Sequence, residues 1–159
     1  MLLIRLATLV AIALGLVSCG STGFAGGQKI GRVKTTAYTH TERDHRKYRS
    51  ASAVGTTLKY GSVRSAAADW SVFPVGTVFK IEGDSHLYEV DDYGSALVGT
   101  NTIDLYKPTK TDMKAWGARH VNIQVVKWGS FSKSLAIMKD RQKASGRVRA
   151  MVQRIENNS

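Results

Sequence analysis

The chain has 159 residues, with 23 Lys or Arg against 12 Asp or Glu, a net charge of +11 and a pI near 10.0. That length supports one hydrophobic core, and the single cysteine, Cys19, excludes any intrachain disulfide. The basic balance calls for an anionic partner, while the lack of a nucleotide-binding glycine loop, a Gly-x-Ser-x-Gly elbow and a Cys-x-x-Cys pair sets aside the chemistries those motifs carry.

The amino terminus reads as an export signal. Arg5 is followed by an apolar run over residues 6–17 and then by the small residues Ser18, Cys19 and Gly20, the layout of a signal peptide. The run is shorter than the roughly 20 apolar residues a bilayer core requires. Leu16-Val17-Ser18-Cys19 also resembles a bacterial lipobox, in which cleavage precedes a cysteine that then carries the acyl chains of a membrane anchor. Lipidation would account for the unpaired Cys19. Residues 1–18 are therefore expected to be a signal peptide, and the glycine-rich residues 19–31 a flexible tether. Gly20 does not resemble an inner-membrane retention signal, so a lipoprotein of the outer membrane facing the periplasm is expected. Export removes nucleic acid from the list of anionic partners. Lipid head groups, lipopolysaccharide, teichoic acids and peptidoglycan remain.

Residues 32–129 carry short runs rich in β-branched and aromatic residues, the clearest at 33–38, 77–82, 86–90, 102–106 and 121–128, separated by glycine-bearing turns. This predicts a mainly β domain, a small closed barrel of five or six strands with no exposed edge, and a short helix at 111–116. Residues 130–159 differ in character. Residues 133–159 hold seven basic side chains against two acidic ones, and Leu135, Met138, Val148, Met151, Val152 and Ile155 recur near helical spacing. Two readings stand: a basic amphipathic helix lying on an anionic surface or along a glycan, or a solvated or frayed helix packed on the barrel, weakened by Gly146.

His40 and His45 are five apart, share no helix face and match no zinc pattern, so the segment reads as a polar loop and no metal is expected. The acidic residues are few and their placement is more informative. Asp69 precedes Trp70, Asp91-Asp92 closes a strand, and Asp104 lies between Ile103 and Leu105. Strand alternation sends its carboxylate to the face opposite those two, which leaves Asp104 either a solvent-facing structural residue or part of a cleft.

From Val33 to Trp128 the sequence resembles the three-aspartate (3D) domain, a barrel of the membrane-bound lytic transglycosylase A superfamily. The matching segments are Thr36-Ala37-Tyr38-Thr39, Ala67-Ala68-Asp69, Phe73-Pro74-Val75-Gly76-Thr77, Val90-Asp91-Asp92-Tyr93-Gly94, Ile103-Asp104-Leu105-Tyr106 and Trp116-Gly117-Ala118-Arg119-His120-Val121. The resemblance implies a six-stranded double-psi β-barrel with a short helix and a basic helical extension. It implies catalytic roles for Asp104, Asp92 and Asp69, with Asp104 as the acid, and substrate contacts from Tyr38, Tyr93, Thr36 and Gly94. Trp70 and Tyr106 lie beside the same motifs and are further candidates for stacking on sugars.

The implied reaction cleaves the β-1,4 bond between N-acetylmuramic acid and N-acetylglucosamine and leaves a 1,6-anhydro sugar. One carboxyl group suffices, because the nucleophile is the substrate's own hydroxyl. Asp92 would supply the negative charge that keeps Asp104 protonated at the start. No cofactor is required, and the chain is treated as a monomer acting on peptidoglycan strands. Two departures flank the acid: Asp-x-Gly-Gly appears as Asp92-Tyr93-Gly94-Ser95, and the stretch from Gly99 to Asp104 is one residue longer than usual. The larger transglycosylases add a second domain to this barrel, so a shallow, open site is expected here. The alternative from another class is a non-catalytic, expansin-like peptidoglycan-binding module.

Overall fold

The computed structural model describes residues 27–42 and 45–158. The expected signal peptide, the lipidated Cys19 and most of the tether lie outside them. Six strands form in chain order: β1 (Gln28–Tyr38), β2 (Val63–Ala67), β3 (Val78–Ile81), β4 (Leu87–Asp92), β5 (Ile103–Tyr106) and β6 (Arg119–Lys127). Three helices accompany them, α1 (Lys110–Trp116) between β5 and β6, then α2 (Phe131–Met138) and α3 (Gly146–Asn157). Among the described residues no helix is long and apolar enough to cross a membrane.

The strands close into a barrel in the order β1-β5-β2-β4-β3-β6. β1 runs parallel to β5 and β2 parallel to β4, and the other four pairings are antiparallel. This is the closed mixed barrel that the resemblance implies. β1 begins at Gln28, earlier than composition suggests, because Gln28, Lys29 and Ile30 pair with Val125, Gln124 and Ile123 of β6. Glycine-rich sequence continues into the strand here because one partner backbone comes close: a side chain at Gly27 would meet the Val125 carbonyl oxygen.

Alternation along the strands fills the interior with Val33, Ala66, Phe79, Tyr88, Val90, Ile103 and Leu105, all buried. Phe79 and Tyr88 stack at 5.5 Å between ring centres. Burying each large apolar side chain stabilises the fold by about 1.5–3 kcal/mol. β2 is the strand that composition did not mark. Its last three residues, Ser65-Ala66-Ala67, are small because both faces are covered, Ala66 inside the barrel and Ser65 and Ala67 beneath the segment that follows β1.

The carboxy-terminal segment is part of the same core. Met138, Val148, Met151, Val152 and Ile155 cluster with Trp70, Phe73 and Val75 of the barrel. α2 is capped by Ser130, whose side chain accepts from Lys133 N–H, and α3 by Ser145, which accepts from Val148 N–H. The crossing from β6 into α2 passes so close to the Pro74-Val75-Gly76 turn that a side chain at Gly129 would lie 2.3 Å from two carbonyl oxygens. Ser134 Oγ then accepts from Val75 N–H at 3.0 Å. Six of the basic side chains, from Lys133 to Arg149, face solvent, while Arg154 turns inward.

Candidate active site on the outer face of the barrel

Ile103 and Leu105 point into the barrel, so Asp104 and Tyr106 point out. Asp104 pairs across with Thr36 of β1 on one side and Ala67 of β2 on the other, and Ala67 pairs in turn with Asp92 of β4. Four adjacent strands thus set Thr36, Asp104, Ala67 and Asp92 in one row. Adjacent strands lie about 4.8 Å apart, so the two aspartates stand two strand spacings apart across the small Ala67 side chain. Thr36 donates its hydroxyl to Asp104 Oδ1 at 2.7 Å. Asp104 is half-buried.

Regular alternation would place Asp91 and Asp92 on opposite faces. The register between β2 and β4 instead slips between Ala66 and Ala67, which pair with Val90 and Asp92. A bulge of this kind re-aims a side chain, and both carboxylates reach groups outside the barrel. Asp92 Oδ1 accepts from Ala53 N–H at 3.1 Å and Tyr93 N–H at 2.9 Å, and its Oδ2 accepts from the Tyr38 phenol at 3.1 Å. Asp91 Oδ2 accepts from Ser65 at 2.7 Å and lies 3.2 Å from Lys59 Nζ, which also pairs with Glu89 at 2.6 Å. Burial raises both carboxyls above their usual value, against the hydrogen bonds and cations that oppose it. Burial, together with the charges of Asp92, Asp91 and Asp104, holds the Tyr38 phenol well above its ordinary range, so it remains a neutral donor.

An aromatic wall backs this row. The Tyr38 ring packs edge-on to His45 at 5.5 Å and beside Tyr106 at 5.6 Å, and His40 Nδ1 lies 2.8 Å from the Tyr106 hydroxyl. Tyr38, Leu58, Ala67, Leu97 and Tyr106 form a second small core outside the barrel. The histidine segment is therefore more than a solvated loop. His45 Nε2 and Asp91 Oδ1 are buried without a hydrogen-bond partner among the described residues. No group of three or more His, Cys, Asp or Glu converges as a metal site among those residues.

Asp69 lies apart from the row. It is fully buried. Its Oδ1 accepts from the Ser71 N–H at 2.8 Å and hydroxyl at 2.6 Å, and its Oδ2 accepts from Gly99 N–H at 2.7 Å and Arg154 Nη1 at 2.6 Å. Gly99 reaches it with φ +87°, a conformation that favours glycine. Trp70 is buried and donates to the Asp92 carbonyl at 2.9 Å, so its face is closed to a ligand. Tyr93 is half-exposed and stands edge-on to Trp70 at 4.9 Å, and Gly94 packs against Leu97 in the turn that follows.

The structure thus gathers Asp104, Asp92, Thr36, Tyr38 and Tyr106, sets Tyr93 and Gly94 at the margin, and separates Asp69. Tyr38, buried against two rings, holds Asp92 and presents no open stacking face. Lys59 is not singled out by sequence reasoning, since neither composition nor spacing marks it, while the sequence offers His45 only as part of a polar loop and Asp91 only as the neighbour of Asp92. A depression of about 880 Å³ lies between the segment after β1 and α1, and is lined by Glu42, Arg46, Lys47, Lys110 and Lys114 among others. Volume and chemistry disagree here. The groove is wide open and excludes Asp104, whereas the carboxylate row holds groups able to give and take a proton, and it is the better candidate.

The closed six-stranded barrel thus carries one aspartate just after β2, one ending β4 and one inside β5. Residues 64–127 match the 3D domain family. It is similar to the cell wall-binding protein YocH of Bacillus subtilis (strain 168), 32% identical over 95 residues that cover 59% of this chain and 31% of that protein. The chain therefore aligns with about a third of the length of this relative.

Proposed function

We propose that this chain acts on peptidoglycan glycan strands as a lytic transglycosylase, with Asp104 as its single acid and base. The observation that carries the reading is the contrast among the three aspartates: Asp69 and Asp92 are buried and held by several donors, and Asp104 alone is half-exposed on the outer face. Two accessible carboxylates would suit hydrolysis by water, whereas one suits an internal nucleophile. Asp104 first gives its proton to the glycosidic oxygen as the bond to C1 of the muramyl sugar breaks. The resulting carboxylate takes the proton from the C6 hydroxyl as that oxygen bonds to C1. The 1,6-anhydro ring closes, no water is consumed, and Asp104 ends protonated as it began.

Thr36 orients the Asp104 carboxyl through its 2.7 Å hydrogen bond. Asp92 is a positioning residue, fixed by Tyr38 and two backbone N–H groups. Tyr93 and Gly94, at the margin of the row, supply contacts to the strand. An exported lipoprotein anchored through Cys19, in the outer membrane where the cell has one, would meet this substrate directly.

The test is to incubate the full chain and its Asp104→Asn variant with sacculi and analyse the products by mass spectrometry. Anhydromuramyl products from the parent, reduced at least about 100-fold in the variant at unchanged thermal stability, are expected. A parent that binds sacculi and releases no anhydro product overturns catalysis in favour of a wall-binding module, the second reading, which the similarity to the cell wall-binding protein YocH favours.

A further inference from the structure

Lys107 directly follows the Tyr106 of the site and is only 5% exposed. Its N–H donates to the Tyr38 carbonyl at 2.8 Å, which fixes this point of the chain on β1. Its ammonium lies 4.7 Å from the centre of the Trp116 ring and 5.7 Å from that of Tyr60. Among the described residues no carboxylate pairs with it. The Arg64 guanidinium lies 4.3 Å from the same Tyr60 ring, and its Nε is buried without a partner.

Arg64 is held by a short relay. Its Nη2 lies 2.9 Å from His86 Nε2, and His86 Nδ1 lies 2.6 Å from Asp84 Oδ1. Arginine only donates, so Nε2 accepts from Arg64 and Nδ1–H donates to Asp84. Arg119 also covers Trp116, at 4.4 Å, and its Nε and Nη2 donate to the Trp116 and Ala115 carbonyls. Burial and the nearby Arg64 push the Lys107 ammonium down, and Asp84 and Asp112 oppose this without pairing with it.

A buried cation with no counter-charge weakens a fold, and a hydrocarbon side chain of similar length would serve stability better. Two cations on one tyrosine ring point to a ligand anion. We infer that Lys107 and Arg64, walled by Tyr60 and Trp116, form a subsite for a carboxylate carried by the glycan strand. One ammonium and one guanidinium N–H match the two oxygens of a single carboxylate. The subsite adjoins the acid row, since Tyr60 stands edge-on to Tyr106 at 6.3 Å. The inference rests on the glycan reading above and deepens it by naming the charged group that is recognised.

The test uses the full chain carrying Asp104→Asn, so that ligand is not consumed, and titration calorimetry with two tetrasaccharides. One alternates N-acetylglucosamine with N-acetylmuramic acid and bears lactyl carboxylates, and the other is chitotetraose, which bears none. The carboxylate ligand is expected to bind about tenfold more tightly, and Lys107→Met or Arg64→Gln to erase that preference while leaving chitotetraose unchanged. Lys107→Met removes a buried charge and is expected to fold at least as well, and Arg64→Gln is the independent second variant. A preference that survives in both variants, or equal affinity for both ligands in the parent, overturns this subsite and leaves the glycan reading standing. Affinity for neither ligand overturns the glycan reading itself and the subsite with it.

Discussion

Asp69 and Asp104 lie in one barrel and are used in opposite ways. Around Asp69 both oxygens are filled, by Ser71, Gly99 and Arg154, and the residue is fully buried. The three buried polar atoms without partners among the described residues, on His45, Asp91 and Arg64, all lie on the other side, around the tyrosines that flank Asp104. Buried polar groups are nearly always satisfied, and each exception asks for an explanation. The difference teaches that spare hydrogen-bonding capacity, more than the presence of an aspartate, separates the folding region from the candidate site.

The largest test of that division is at the folding region. Arg154→Met leaves the Asp69 charge buried with three uncharged donors, and urea denaturation is expected to show a loss of about 3 kcal/mol, at the low end for a buried pair because Arg154 is partly exposed. Adding Asp69→Asn to that variant is expected to recover part of the loss. No loss in the single variant would break the comparison, because Asp69 would then not depend on its cation.

The next test concerns Asp84, whose carboxyl is lowered to about 2. Burial raises it, and hydrogen bonds from the His86 N–H, the Tyr88 phenol and the His86 ring outweigh that effect. A depressed carboxyl stabilises the fold above its unfolded pKa of 3.8 and loses that contribution as pH falls toward 2. Asp84→Ala is therefore expected to cost about 2 kcal/mol at pH 7 and progressively less below pH 4, read from denaturation at a series of pH values.

Asp92 has the opposite sign. Its raised carboxyl contributes stability in the acid range that is lost as pH rises through its folded value. Asp92→Asn is thus expected to gain on the parent between pH 4 and pH 7, in the same series of denaturation curves. A parallel pair of curves would mean that burial does not perturb Asp92. The smallest effect is expected at Tyr38→Phe, which removes one donor from Asp92 and costs about 1 kcal/mol. Its rate of anhydro-product release should fall by more than that stability change would suggest, because Tyr38 positions the row.

Five of the six strands are legible in the sequence, because β-branched and aromatic alternation marks them. β2 is not. Its last three side chains, Ser65, Ala66 and Ala67, are small because they are covered on two faces, and small residues carry little strand preference. The carboxy-terminal helices were legible as helical spacing, but a basic surface conceals how far Met151, Val152 and Ile155 penetrate the core. At the candidate site, alternation places Asp104 outside the barrel from its neighbours Ile103 and Leu105 alone. The joint outward placement of Asp91 and Asp92 depends on a bulge set by the partner strand, which one strand's sequence cannot disclose. His45 and Lys59 reach the row across the segment between β1 and β2, and long-range approach leaves no periodic mark.

The strand order also sets a timetable. β1 is bordered by β5 and β6, and Asp69 meets its counter-charge only at Arg154. A chain growing from its amino terminus therefore carries its first strand with two open edges until residue 106 has emerged and one until residue 127, and an uncompensated carboxylate until almost the last turn of α3. Such non-local closure is slow. For a polypeptide threaded through a membrane before it folds, as the export reading requires, that delay would keep it in a form that can still be transported.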